Sequence, residues 1–154
     1  MEIPRLGWRG QGWVWGQFLL AAVVVVTAAA GPRWAWPGST WIGGALLILG
    51  AALGWWSLRT LGASLSPFPK PRSRAELVEH GPYRIVRHPI YSSALLALLG
   101  LCLVGSWWGL VALTVLLVWW LGKAHVEEHW LRAHYPGYEA YCHRVRARII
   151  PWLL

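Results

Sequence analysis

The sequence contains no aspartate, and its acidic residues are six glutamates in a chain of 154. Charged residues reach only 13%, about half of the roughly 25% that a soluble domain carries. Too little charge is available to cover a water-exposed surface, so a soluble globular domain is excluded. Cysteine is also scarce. Cys102 and Cys142 make neither a disulfide framework nor a CxxC pair, and Cys102, inside an apolar run, reads as a small packed residue. A cleavable secretory signal is not expected either. The first apolar run is long, lacks a small-residue cleavage site and is followed by further apolar runs, so it is expected to remain as a span.

Hydrophobic residues are abundant, at 56% with fourteen tryptophans, and they occur in long runs. Trp13 to Ala30 and Trp34 to Leu58 carry no charge, and each suffices for a hydrocarbon core of ~30 Å. Pro89 to Gly122 is also uncharged, but as one straight helix it would be about 50 Å long. Gly105-Ser106 offers a turn, which predicts a hairpin. The expected architecture is all-α and polytopic, a single domain over 1–154 with spans near 13–30, 41–58, 90–104 and 107–121. The segments 59–89 and 122–154 lie outside the membrane. The first of these segments contains "SLSPFPKPRSR", whose prolines forbid a regular helix, and Ala75 to Glu79 is expected to form one helical turn.

Arginine and lysine set the orientation. Thirteen of the fourteen fall on one side of the expected spans: Arg5 and Arg9, six residues from Arg59 to Arg87, and five from Lys123 to Arg148. Arg33 alone falls on the other. The positive-inside rule then makes both termini and the motif segments cytoplasmic. Tryptophans at the span ends match an aromatic belt. Topology thus accounts for most of the net charge of +8, and no nucleic-acid motif is present.

All acids and histidines lie on the basic side. Two clusters stand out: Tyr83, Arg84, Arg87, His88 and Tyr91 before and into span three, and His125, Glu127, Glu128 and His129 after span four. A hairpin brings them together at one cytoplasmic mouth. The helix start at Pro89, with Arg84 and Arg87, reads as an anion site. The glutamates suit a cation or sugar hydroxyls. A ligand bearing both charges, or a nucleoside, fits such a mouth; mutual pairing and contact with lipid headgroups is the plainer reading. His125-x-x-Glu128-His129 also matches a zinc peptidase signature, for which Glu139, His134 or His143 would have to supply a third ligand.

"GPYRIVRHPIYSS" at 81–93, with "EEHWLRAHYPGYEAYCHRVRARIIPWL" at 127–153, resembles the isoprenylcysteine carboxyl methyltransferase family. This is a broad group of membrane methyltransferases that includes phospholipid N-methyltransferases. The resemblance covers about 60–153 and departs at Ser93, where many members carry glycine. It makes the zinc pattern a coincidence laid over the acid pair. It implies an S-adenosylmethionine-dependent transferase acting on a lipophilic acceptor, most simply a carboxylate, in a prokaryotic inner membrane with the site facing the cytoplasm. It implies cofactor contacts from Tyr83, His88, Pro89, Tyr91, Glu127 and Glu128, with Tyr138 and Tyr141 as further candidates to wall the adenine. It implies catalytic roles for Arg87, Glu128 and Arg144, and substrate contacts from Arg144 and then Arg87. Arg146 and Arg148 are expected at lipid headgroups. A non-enzymatic lipid-binding or assembly protein that keeps the motif is the alternative reading. The glycines and alanines of span two allow close helix packing, within one chain or between copies.

Overall fold

The computed structural model describes residues 6–71 and 75–151. Arg5, Arg72, Arg74 and Trp152, which enter the charge count and the motif, lie outside the described residues. The chain forms α1 (Gln11–Ala30), α2 (Gly38–Leu61), α3 (Pro89–Val104), α4 (Trp108–His134) and α5 (Tyr138–Arg144). Short 3₁₀ turns at Gly62–Ser64 and Gly81–Arg84 complete the regular structure. The described residues contain no β-strand, only an isolated bridge between Arg33 and Ser106. The protein is an all-α polytopic membrane protein. Helix α1, the stretch Gly38–Ser64 and helix α4 are each long and apolar enough to cross a membrane. Helix α3 is apolar but has sixteen residues, about 24 Å at ~1.5 Å per residue. Large side chains such as Trp41, 83% exposed, and Leu19, 68% exposed, face outward, as lipid contact requires.

The helices pack as two pairs, α2 along α3 and α1 along α4. The two arms of the expected hairpin pack more closely against these partners than against each other. Glycine is the reason in the first pair. A Cβ at Gly43 would stand 2.6 Å from the Gly100 carbonyl oxygen, and one at Gly50 would stand 2.6 Å from the Ala97 nitrogen. The backbones therefore touch directly, and Gly43 and Gly50 are used within the chain. In the second pair Gly16 lies beneath the Trp119 ring. The Trp13 and Trp119 rings meet at 4.7 Å, and the Trp119 indole N–H donates to the Trp13 carbonyl at 3.1 Å. At the far end Arg33 and the Trp34 indole donate to the Val104 and Cys102 carbonyls at the close of α3, which satisfies acceptors a helix end leaves open.

Three expectations need correction. Span four does not end near Leu121. Helix α4 continues to His134, because Lys123 to Ala133 contains strong helix formers and the next proline is Pro136. The helix is therefore about 40 Å long at ~1.5 Å per residue and carries the paired glutamates on its extension. Ala75 to Glu79 forms no helical turn. The Ser64 hydroxyl takes both the N–H and the carbonyl of Glu76, which ties that stretch to the end of α2. Span two is also longer than 41–58, starting at Gly38 and ending at Leu61.

Candidate active site

The motif segment Gly81 to Tyr91 is built by its own backbone constraints. Gly81 takes φ +59, a region that favours glycine, and opens the 3₁₀ turn that buries Pro82 and Tyr83. Arg87 and His88 then run, without regular structure, beside the C-terminal segment. Their N–H groups donate to the Ala147 and Arg148 carbonyls at 2.9 and 2.8 Å. Pro89 begins α3 where no N–H is needed. His88, Tyr91 and Trp120 form one column of near-parallel rings, with centroids 5.4 and 5.6 Å apart.

The anion site expected at the α3 start is not free. The Tyr91 and Ser92 N–H groups turn back to the His88 carbonyl. The Ser92 hydroxyl donates to the Ile149 carbonyl, and Ile149 is fully buried. The chain's own C-terminal segment covers that end of the helix.

The two glutamates of α4 meet the α3 motif in different ways. Glu128 is completely buried. Its Oε1 lies 2.9 Å from Arg87 Nε, 3.3 Å from Arg148 Nε and 3.4 Å from His88 Nε2, while Arg132 stands 3.7 Å from Oε2. Arg87 also donates through Nη1 to the Val145 and Arg146 carbonyls at 2.6 and 2.7 Å. It thus fastens α4 to the C-terminal segment. Arg148, expected at lipid headgroups, is instead drawn in by the buried carboxylate. Glu127 retains 14% side-chain exposure. It accepts the Tyr91 hydroxyl at 2.6 Å and faces His88 Nδ1 at 3.4 Å and Lys123 Nζ at 3.6 Å.

Four buried polar atoms make no hydrogen bond: Tyr83 Oη, His88 Nε2, Trp120 Nε1 and Glu128 Oε2. Three of them belong to the motif residues, and buried polar atoms of this kind ordinarily have a partner. Burial, and for Tyr83 also the neighbouring Glu127, raises the Tyr83, Tyr138 and Tyr141 phenols well above their usual range, so all three remain hydrogen-bond donors. Tyr141 donates to the Tyr83 carbonyl at 2.8 Å. Tyr138 and Tyr141 form a small buried cluster with Val145, which holds α5 against the motif.

Beside the acid pair lies a cleft of about 810 Å³ bearing Arg84, Arg87, Arg144, Arg146 and Arg148, with Ile85, Leu121, Val145 and Pro151 as its apolar part. Arg144 is more than half exposed and pairs with Glu79. Arg84 and Arg146 have no acidic partner among the described residues. Sequence reasoning passed over Lys123, which is 2% exposed, although its i,i+4 spacing to Glu127 marks such a pair. His125 and His129 are exposed, whereas Glu128 is completely buried in the protein. The H-x-x-E-H residues therefore do not converge.

A sequence model of the phospholipid methyltransferase family matches residues 39–137, close to two thirds of the chain. The chain belongs to that family. It is a membrane methyltransferase. The matched stretch holds both halves of the site, the α3 motif and the glutamates of α4. Helix α1, α5 and the arginine segment 144–148 lie outside the match, yet they contribute side chains or backbone to the candidate site. No curated protein matches the chain.

Proposed function

We propose that this methyltransferase, working as one domain over 1–154, transfers the methyl group of S-adenosylmethionine to a lipophilic carboxylate at the cytoplasmic face of a prokaryotic inner membrane. The observation that carries the reading is the juxtaposition of the His88–Tyr91–Glu127–Glu128 cluster with a five-arginine cleft that has an apolar side.

The residues present fit the cofactor. It bears an amine, hydroxyls, a carboxylate and a cation. Tyr83 Oη, His88 Nε2 and Glu128 Oε2 are buried without hydrogen-bond partners, and the partly exposed Glu127 can accept from hydroxyls or an amine. Tyr83, His88, Tyr91, Glu127 and Glu128 would hold it, with Pro89 fixing the helix start beneath them. Bound there, it supplies a methyl group made electrophilic by sulfonium.

The chain's own contribution is positioning. A carboxylate acceptor is ionised near pH 7 and needs no general base. Arg144, with Arg84 and Arg146 beside it, would hold that carboxylate, and the apolar wall at Ile85, Leu121 and Pro151 would hold its lipid part away from water. Arg87 is committed to Glu128 and two carbonyls, so its role is to hold the site rather than to bind substrate.

A phospholipid amine is the second reading, favoured by the family description; the partly exposed Glu127, or His88 beside it, would take the amine proton. Transfer from methyl-labelled cofactor to a prenylated thioether carboxylate and to an aminophospholipid separates the two. The first gives a base-labile ester, the second a base-stable N-methyl product. Label in neither, from a protein that binds the cofactor, would defeat both acceptors.

A further inference from the structure

Lys123 is the most buried cation among the described residues, and it sits apart from the arginine cleft. Its side chain is 2% exposed. An ammonium has three N–H donors, and three acceptors surround this one: Gln17 Oε1 at 2.8 Å, the Pro67 carbonyl at 3.2 Å and Glu127 Oε1 at 3.6 Å. The Tyr91 ring lies 5.3 Å from Nζ. Gln17 stands in the second turn of α1, in a stretch from Gly12 to Ala30 whose only other polar side chain, tryptophan aside, is Thr27. Polar residues so placed within an apolar span generally face a functional interior. Helix α1 lies wholly outside the stretch matched by the family, and through this bond it reaches the acid pair.

We infer that Lys123 is a positioning residue that, held by Gln17 of α1 and the Pro67 carbonyl, keeps Glu127 directed at the cofactor. Glu127 meets charged or titratable groups from every element packed on it: Tyr91 of α3, His88 before it, and Lys123 of α4, with Tyr83 of the 3₁₀ turn close enough to feel its charge. Of these, Lys123 is the one hydrogen-bonded, among the described residues, to parts of the chain outside the motif. The inference rests on the S-adenosylmethionine reading above.

A double-mutant cycle tests it, read as the dissociation constant for S-adenosylmethionine in detergent, with helicity checked for each variant. Lys123→Met is expected to weaken binding about tenfold, as loss of a buried ion-pair partner of Glu127 would. Glu127→Gln is expected to weaken it comparably, and the double variant to bind no worse than Glu127→Gln, because Lys123 acts through Glu127. Should Lys123→Met fail to fold, Gln17→Leu keeps the lysine and runs the same cycle, with a loss of about threefold alone and none in the Glu127→Gln background. Losses that multiply in the double variant would overturn this inference alone. Absence of binding to the wild-type protein would overturn the cofactor reading and this inference together, so the two failures are distinguishable.

Discussion

Arg87 carries the largest expected single-residue effect on stability. It is the closest cation to a carboxylate that water does not reach, and its other N–H groups hold two backbone carbonyls. Arg87→Ala is expected to cost about 3–5 kcal/mol, the scale for stripping a buried charge of its partner. Thermal unfolding in detergent measures it, and a loss under ~1 kcal/mol would mean that Arg148 and Arg132 suffice. Tyr91→Phe tests binding instead. It removes the 2.6 Å bond to Glu127 but keeps the ring between His88 and Trp120, so cofactor affinity should fall about tenfold with little change in melting temperature. Motif residues such as His88, Tyr91, Glu127 and Glu128 were legible in the sequence because they sit within two short local stretches. Arg148 was not. Its approach to Glu128 depends on where the chain lies after α5, and no spacing rule encodes that return. Lys123 had a readable signal, the i,i+4 pair with Glu127, but it stands outside both motif stretches.

At the scale of elements, the helices were legible and their ends were not. Apolar runs located α1 to α4, yet helix α4 outlasts its apolar stretch because good helix formers continue it into polar sequence. That extension places the glutamates on a rigid rod rather than in a loop, at a fixed height beside His88. The pairing of α2 with α3 was legible only as a run of small residues, since composition does not say which helix they face. Gly50→Leu should be destabilising by at least about 2 kcal/mol through overpacking against the α3 backbone. Gly44, which has no neighbour within 4 Å, offers the contrast. Gly44→Ala should be neutral or stabilise by up to about 1 kcal/mol, as alanine restricts the unfolded chain more than glycine does. Melting curves of the two variants decide whether α2 presses on α3 along this face.

At the scale of the whole molecule, two helix pairs meet at one end to form a site that needs parts beyond the family's matched stretch. Helix α1 reaches it through Gln17, and segment 145–148 reaches it through backbone and Arg148. Deleting residues 145–154 should therefore abolish cofactor binding as well as transfer, although α3 and α4 remain. The orientation inferred from charge is tested by thiol labelling. Cys102 is fully buried and Cys142 is partly accessible at the motif end. Burial raises the Cys142 thiol, so its thiolate fraction grows as pH rises, and labelling should be slow near neutral pH and faster in mild alkali. A membrane-impermeant maleimide should reach it in inverted vesicles and not in intact cells. The reverse pattern would turn the site to the outside.

The most direct test of the central claim is a calorimetric titration of the detergent-purified protein with S-adenosylmethionine. The account predicts saturable binding at one cofactor per chain, weakened about tenfold or more by Glu127→Gln in a protein of unchanged helicity. A fully helical wild-type protein that gives no saturable heat and no cofactor-dependent rise in melting temperature would contradict it.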